Sequence, residues 1–255
     1  MRTYRVITTQ HEPYYNQIGR DCIASFLEYW PENITMELWA EGFEPDIKDD
    51  RLIIKDFEKV RPGLNKFLDL IYPYVPNDPN TKDMFTKYKP FWLKGHVIAN
   101  AMQECDADVF IWLDSDVITN KKIPLDFFEN LLPEDTLSVD IPAGGKVKGK
   151  EAETGFFMLN MKDRNVQTVI KHYVNCHNSL EILKASRRLE TGVWWQAVHL
   201  AQDQGSKVKH LATAVDSIVP FMHTELKEYL RHWVTKANKK NYHRGRRDTT
   251  VEEAV

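Results

Sequence analysis

In the stretch "DVFIWLDSDVIT", residues 108 to 119, two acids follow directly on a wholly apolar run. Val109 to Leu113 is a run of five apolar side chains, too short for a lone helix and rich enough for a strand buried on both faces. Asp114 and Asp116 then fall where such a strand would reach the surface. Since buried carboxylates are costly, an acidic pair at this place indicates either a solvated turn or a site for a cation.

The segments before this strand predict a parallel sheet. Tyr4 to Thr9 is typical of a first strand, residues 22–30 of a helix that Pro31 ends, and residues 34–43 of a second strand. Strand, helix and strand at this pitch form a βαβ unit, which implies parallel pairing. For residues 44–80 we expect an excursion that contains a small helix.

The helix that leads into the strand and the elements that follow it complete the layered pattern. Residues 83–105 are helical in composition, and Pro90 is expected to mark a break or a new first turn. The later segments alternate in the same way: helix 124–135, strand 136–142, polar loop 143–153, strand 154–161, helices 165–178 and 191–205, and a strand or loop over 210–223. This order predicts an α/β protein, a Rossmann-like α/β/α sandwich with a mainly parallel central sheet.

Composition excludes several classes of protein. The chain has 255 residues, 42% of them hydrophobic, and a formal net charge of -3, which fits an ordinary globular protein. Its three cysteines are widely spaced without a CxxC pair, which argues against a disulfide framework and a thiolate zinc site. No run of 18 apolar residues and no apolar leader occurs. We therefore expect a soluble, cytoplasmic protein with no membrane partner.

The acidic pair favours a metal site over a turn. Ligands of open α/β sheets bind at the carboxyl ends of the strands, and oxygen ligands suit Mg²⁺ or Mn²⁺, which would hold a diphosphate. A phosphatase of the haloacid dehalogenase type, with Asp114 as nucleophile, is one alternative. Against it, Ile118 stands four residues on, a βαβ unit precedes the strand, and only Asp216 is offered late in the chain. A non-catalytic binding domain is the other alternative.

Several motifs together resemble the glycosyltransferases of the GT-A fold, from Thr8 to the basic end of the chain. "WLDSD", residues 112–116, looks like their DxD motif, and "PFWLKGHVIANA" carries a lysine, Lys94, like one that recurs near the nucleotide sugar. "ETGFFMLN", from Glu153, resembles the segment that lines the donor-sugar and acceptor pocket. "LKEYLRHWVTK" resembles the late segment whose histidine, here His232, completes the metal site, although the glycine-rich stretch that often follows it is missing.

The resemblance implies a metal-dependent transfer of a sugar from a nucleotide diphosphate donor, first of all a UDP-sugar, to a hydroxyl acceptor. The metal, Mn²⁺ or Mg²⁺, would be held by the DxD acids and the late histidine: Asp114, Asp116 and His232. His223 is the substitute for the histidine. The residues predicted to contact the nucleotide sugar lie at or after the ends of the first two strands, on the helix before the motif, in the motif and in the basic segment: Thr8, Thr9, Tyr14, Glu41, Lys94, Asp114, Ser115 and Lys236.

A base for the acceptor would be a carboxylate at the end of a late strand. Glu153 is the first candidate and Asp140 the second, and for both a simple strand-end acid is the alternative. Trp194 and Trp195 offer a platform for a sugar or a base, with core packing expected for at least one. The sequence does not decide between inversion and retention.

We expect one domain over residues 1–255, in three parts. Residues 1–119 would form the nucleotide-binding half, 120–226 the half for donor sugar and acceptor, and 227–255 a basic C-terminal segment. Lys227 to Arg247 carries eight Lys and Arg against one Glu, interleaved with aromatic residues. That pattern is compatible with nucleic acid, and hence with a hydroxymethylated base in DNA as acceptor, as for some phage-type enzymes in a host cytoplasm. A small molecule, a glycan or a protein is equally allowed.

Overall fold

The structure of the protein is a computed structural model that describes residues 2–75, 84–144, 148–211 and 220–233. The strands of these residues are β1 Tyr4–His11, β2 Thr35–Glu41, β3 Leu52–Asp56, β4 Val109–Leu113, β5 Val117–Thr119, β6 Thr136–Pro142, β7 Ala152–Asn160, β8 Lys207–His210 and β9 Leu230–His232. The α-helices are α1 Glu12–Tyr14, α2 Arg20–Tyr29, α3 Arg61–Ile71, α4 Met84–Glu104, α5 Leu125–Leu131, α6 Val166–Asn178 and α7 Glu190–Asp203.

The main sheet of the described residues has seven strands in the order β3-β2-β1-β4-β7-β6-β8. β3, β2, β1 and β4 are parallel neighbours, β7 runs against β4 and β6, and β8 is parallel to β6. β7 is thus the one strand of this described sheet that runs in the opposite direction. The mainly parallel sheet that the sequence predicts is confirmed.

β4 is the centre of this sheet because its side chains are apolar on both faces. All five residues of β4 are buried. Phe110 and Trp112 join the cluster on one face, whereas Val109, Ile111 and Leu113 join the cluster on the other. Each fully buried large apolar side chain contributes about 1.5–3 kcal/mol, so the strand end that carries the two acids is firmly fixed.

Helices cover both faces of the sheet. The helices α3, α4, α6 and α7 supply buried residues to the cluster that contains Trp112, and α2 and α5 supply them to the cluster that contains Ile111. The α/β/α sandwich predicted from the sequence is confirmed. Among the described residues, no helix combines the length and the apolar composition that crossing a membrane requires.

The small helix expected within residues 44–80 is present as α3. The described part of this segment also contains a strand that was not predicted, β3, which pairs with β2 at the edge of the sheet and has only Leu52 buried. The break or new first turn expected at Pro90 was wrong, because Pro90 lies inside α4, which continues through it. Buried Trp92, Val97 and Ile98 follow Pro90 on α4, and their packing offsets the penalty of about 3 kcal/mol for an internal proline.

Candidate functional site

The two acids lie in a tight turn at the carboxyl end of β4. The Asp114 N–H donates to the carbonyl of Gly155 on β7 at 2.9 Å, and the Val117 N–H donates back to the Asp114 carbonyl at 3.0 Å. β5 then begins at Val117, one residue after Asp116. The turn therefore has a fixed backbone, and both carboxylates start from positions that the sheet determines.

β9 brings His232 to the acids. β5 and β9 form an antiparallel pair in which Val117 lies opposite His232, and the Trp233 N–H donates to the Asp116 carbonyl at 3.0 Å. One ligand atom each of Asp114, Asp116 and His232 lies within 4.8 Å of the other two. We call these three residues the acid–histidine cluster. They are the residues that the resemblance assigns to a metal.

One carboxylate oxygen of Asp114 accepts hydrogen bonds from neighbouring side chains, and the other faces His232. Its Oδ1 accepts from the Lys94 ammonium at 2.6 Å and from the Trp112 indole at 2.7 Å. Its Oδ2 lies 4.0 Å from His232 Nε2. Lys94 and Trp112 thus fix the orientation of this carboxylate.

Asp116 is held in the same way from the opposite side. Its Oδ2 accepts from the Tyr14 hydroxyl at 2.7 Å, and its Oδ1 lies 3.1 Å from His232 Nε2. Tyr14 ends α1, and a π-helical turn, Tyr15–Gly19, connects it to α2. Burial, with the charge of Asp116, raises the pKa of the Tyr14 phenol, which therefore stays a donor.

The acid–histidine cluster fits a hard divalent cation. Two carboxylate oxygens and one imidazole nitrogen are suitable ligands for Mn²⁺, and Mg²⁺ accepts the carboxylates. Burial disfavours charge on His232, but the hydrogen bond and charge of Asp116, with Glu153 and Asp114, raise the pKa of this imidazole. A cation would therefore compete with a proton that these carboxylates attract.

Lys94 links this cluster to a buried acid that the sequence analysis did not single out. The Lys94 ammonium also donates to the Thr154 carbonyl at 2.9 Å and lies 3.7 Å from Glu190 Oε1. Burial disfavours the ammonium, but Asp114 and Glu190 outweigh this effect and raise the pKa of Lys94. Glu190 is 1% exposed, and its burial raises its pKa to about 7. The available signal was an acid that begins a helix whose residues Val193 to Trp195 are apolar.

The two predicted bases lie in different surroundings. Glu153 Oε1 accepts from the Gly155 N–H at 3.0 Å and lies 3.9 Å from His232 Nδ1, beside the acid–histidine cluster. Asp140 is fully buried on β6, where its Oδ1 lies 2.5 Å from His210 Nδ1. That bond raises the pKa of His210 despite burial of the ring. The structure brings Glu153, but not Asp140, to the cluster.

The residues predicted to contact the nucleoside lie at the carboxyl ends of β1 and β2. Thr8 is fully buried, and the Thr9 hydroxyl donates to the Trp39 carbonyl at 2.9 Å. Glu41 is partly buried, and this burial raises its pKa to about 7 although Arg61 and Lys89 lower it. Tyr14 is hydrogen-bonded to Asp116.

The remaining candidates divide between the turn, the core and the surface. Ser115 is partly exposed in the turn between the acids, and His223 is exposed. Trp194 is fully buried and stacks on Phe157 with ring centroids 3.8 Å apart, whereas Trp195 is partly exposed. Two sequence candidates lie outside the described residues: Asp216 and Lys236.

A cleft of about 660 Å³ lies at the opposite edge of the sheet, where β4 begins. Met102, Cys105, Asp106 and Met161 are among the residues that line it. None of the acid–histidine cluster lines this cleft, so the chemistry argued for the acids does not extend to it.

Comparison with known proteins supports the fold at low sequence identity. No protein-family model matches the sequence, and no curated protein matches it either. Mouse xyloside xylosyltransferase 1, in its apo form, is similar in structure with a TM-score of 0.53 and 11% identity, over 82% of this chain and 84% of that one. A glycosyltransferase involved in glycosylation of the major capsid of PBCV-1 matches with a TM-score of 0.49 and 13% identity, over 94% and 98%. The GT-A-like α/β fold that the resemblance implies is confirmed.

Proposed function

We propose that the protein is a metal-dependent glycosyltransferase that moves a sugar from a nucleoside diphosphate, UDP in the first instance, to a hydroxyl group of an acceptor. The observation that carries this proposal is the acid–histidine cluster at the carboxyl edge of a GT-A-like sheet. In open α/β sheets this edge is the place where ligands bind.

The residues of the cluster would hold the cation with the atoms that face one another: Asp114 Oδ2, Asp116 Oδ1 and His232 Nε2. Lys94 and Trp112 orient Asp114 through its Oδ1, and Tyr14 orients Asp116 through its Oδ2. A bound cation supplies charge neutralisation to the departing diphosphate. The chain itself adds the Lys94 ammonium, which is fixed beside Asp114.

The rest of the site would bind the two substrates on either side of the cluster. Glu41, at the end of β2, is our candidate acceptor of hydrogen bonds from the nucleoside. β2 is parallel to β1, and β1 is parallel to β4, so Glu41 lies at the same edge of the sheet as the end of β4. β7, which carries Glu153 and Thr154, lies on the other side of β4 and would face the sugar and the acceptor.

Calorimetry with UDP, in the presence and absence of Mn²⁺, tests the proposal. We expect UDP to bind only weakly without the metal and measurably with it. Asp116→Asn should abolish the metal-dependent part while far-UV circular dichroism stays unchanged, because the amide removes the charge and keeps the shape. Asp126→Asn, an exposed acid on α5, is the matched control.

Two other outcomes would overturn the proposal. Hydrolysis of a generic phosphomonoester with covalent labelling of Asp114 would show the phosphatase. Metal-independent binding of UDP, or no binding in either condition, would indicate a domain that does not carry out metal-dependent sugar transfer.

The donor sugar and the acceptor follow from a screen of the active protein. Mass spectrometry of slow donor hydrolysis over a panel of UDP-hexoses and UDP-pentoses identifies the sugar. Incubation with that donor and a DNA duplex that contains hydroxymethylated bases tests DNA as acceptor. An unmodified duplex is the control, and a mass gain of one sugar in the modified duplex alone supports DNA.

A further inference from the structure

We infer that Glu153 is a positioning residue that fixes the tautomer and orientation of His232, so that His232 Nε2 is presented to a divalent cation. This inference rests on the proposed function, and it assigns Glu153 a role different from that of a base for the acceptor. It follows from the position of the His232 ring between two sets of carboxylates.

The His232 ring is buried with one nitrogen on each side. Its Nε2 faces the acids, 3.1 Å from Asp116 Oδ1 and 4.0 Å from Asp114 Oδ2. Its Nδ1 is buried without a hydrogen-bond partner among the described residues, and Glu153 Oε1 lies 3.9 Å away. A buried polar atom without a partner is costly, and here the nearest charged acceptor is less than about 1 Å beyond hydrogen-bond distance.

β7 leaves room for the His232 ring and holds the Glu153 carboxylate beside it. A Cβ atom added to Gly155 would lie 2.6 Å from His232 Cε1 and 2.9 Å from His232 Nδ1. Only glycine leaves room for the ring at this position. The Gly155 N–H donates to Glu153 Oε1 at 3.0 Å, which holds the carboxylate on the Nδ1 side of the ring.

The chemistry of imidazole predicts which nitrogen of His232 carries the proton when a cation is bound. A neutral imidazole carries its proton on one nitrogen only, and a cation takes the lone pair of the other. If Nε2 binds the cation, the proton must be on Nδ1, and that buried N–H needs an acceptor. Histidine ligands generally donate this N–H to a carboxylate or carbonyl, and loss of that partner typically weakens metal binding 10–100-fold, as a rough range.

Titration of Mn²⁺, followed by electron paramagnetic resonance in the presence of saturating UDP, tests the inference. We compare the wild type with Glu153→Leu, which removes the acceptor, and with Glu153→Gln, which keeps one acceptor oxygen. We expect Mn²⁺ to bind Glu153→Leu about 10–100-fold more weakly than the wild type, and Glu153→Gln to fall between them. Glu129→Gln, an exposed glutamate on α5, should bind like the wild type.

A second measurement separates positioning from a general loss of structure. With ¹⁵N-labelled histidine and Zn²⁺-UDP, a diamagnetic cation that accepts imidazole, the His232 signals of the wild type should show a proton on Nδ1 and none on Nε2. When both proteins are metal-free at the same alkaline pH, Glu153→Leu should be shifted further toward the Nε2–H form than the wild type. The melting temperature of Glu153→Leu, measured without metal, should match that of the wild type if the fold is retained.

The outcomes distinguish this inference from the proposed function. If the wild type binds no Mn²⁺ with UDP, the proposed function is wrong and the inference with it. If the wild type binds Mn²⁺ and Glu153→Leu binds it equally well, only the inference is overturned. Loss of turnover in Glu153→Gln with unchanged Mn²⁺ affinity would instead make Glu153 the base for the acceptor.

Discussion

Lys94, on α4, joins Asp114 at the end of β4 to Glu190 at the start of α7. Its ammonium contacts Asp114 at 2.6 Å and lies 3.7 Å from Glu190, on the first turn of α7. Glu190 Oε2 has no hydrogen-bond partner among the described residues. The charge of Glu190 is therefore tolerated in the core largely because of Lys94.

Replacement of Lys94 should expose this dependence. Lys94→Met leaves a buried carboxylate without its cation, and we expect a loss of about 3 kcal/mol in the free energy of unfolding at pH 8. Because burial already raises the pKa of Glu190 to about 7, the loss should shrink at pH 5, where the group is protonated. Urea unfolding at the two pH values measures the difference.

A second variant serves as the control for this experiment. Lys94→Met combined with Glu190→Gln should recover most of the stability at pH 8, since no buried charge is left at position 190. An equal loss at both pH values, or no recovery in the double variant, would contradict the role assigned to Glu190.

Glu41 predicts a separate effect of pH on stability. Burial raises its pKa to about 7, above the value of about 4.3 in an unfolded chain. The folded state thus binds the proton more tightly, and the stability that this gives is present at low pH and is lost as the pH rises through 7.

Glu41→Gln should remove this pH-dependent loss. Between pH 5 and pH 8 the melting temperature of the variant should fall by a few degrees less than that of the wild type, on the basis of roughly 2–4 °C per kcal/mol. Scanning calorimetry at both pH values measures this, with exposed Glu44→Gln as the control. Parallel pH curves for wild type and Glu41→Gln would refute the prediction.

The sequence indicated some of these residues and not others. Asp114 and Asp116 stand out because an apolar strand precedes them, which is a local signal. The contact between Tyr14 and Asp116 joins residues 102 positions apart, and no spacing in the sequence encodes it. The same holds for Glu190, whose significance comes from its distance to Lys94 alone.

Among the elements, the turn before α7 is the part of the described backbone with the most strain. Arg187 and Arg188 have φ angles of 49° and 59°, in the left-handed region that non-glycine residues avoid. Glu151, fully buried at the start of β7, accepts from the Arg187 guanidinium and from Ser186 Oγ at 2.6 Å. This ion pair holds the strained turn that delivers Glu190 to Lys94.

Removal of the charge of Glu151 should therefore lower both the stability of the fold and the metal-dependent affinity for UDP. Glu151→Gln weakens charge-assisted hydrogen bonds but leaves only the half-exposed Arg187 unpaired, so it should cost about 1.5 kcal/mol, a fall of roughly 5 °C in melting temperature. It should also weaken metal-dependent UDP binding, because α7 begins in this turn. Glu181→Gln breaks an exposed pair with Lys184 and should change stability by less than about 0.5 kcal/mol. Equal melting temperatures for Glu151→Gln and Glu181→Gln would contradict this account.

Prediction of the elements succeeded where one type of periodicity dominated. β4 is an apolar run, β7 contains the apolar run FFML, and β6 alternates apolar with polar residues, so their sequences identify them as strands. β3 was missed because, at the sheet edge, only Leu52 of its five residues is buried. Pro90 misled the prediction because local geometry disfavours a helix there, whereas the packing of α4 is a tertiary effect.

At the scale of the whole molecule, the acid–histidine cluster joins the middle of the chain to a late segment. β5 follows the acids directly, and its partner β9 carries His232. Buried Leu230 and His232 make β9 part of the core as well as of the site. The fold class was predictable from the order of the elements, but this small second sheet was not, because its strands have three residues each.

Truncation tests the contribution of this late segment. A chain that ends at residue 228 should keep the far-UV spectrum of the sandwich, and it should lose the rise in melting temperature that Mn²⁺ and UDP give the full chain. With ligand at about 100 times Kd, that rise corresponds to about 2.7 kcal/mol. A chain that ends at residue 237 should retain it. A retained thermal shift in the shorter chain would show that His232 is dispensable.

The pairing of β5 with β9 also fixes when the site can come into being during synthesis. His232 is synthesised 116 residues after Asp116, so Asp114 and Asp116 are made long before it. A nascent chain that has already folded its first βαβ unit therefore cannot yet bind a cation through all three groups. Under the proposed function, the metal would be bound late in maturation, after the strands of the central sheet have been synthesised.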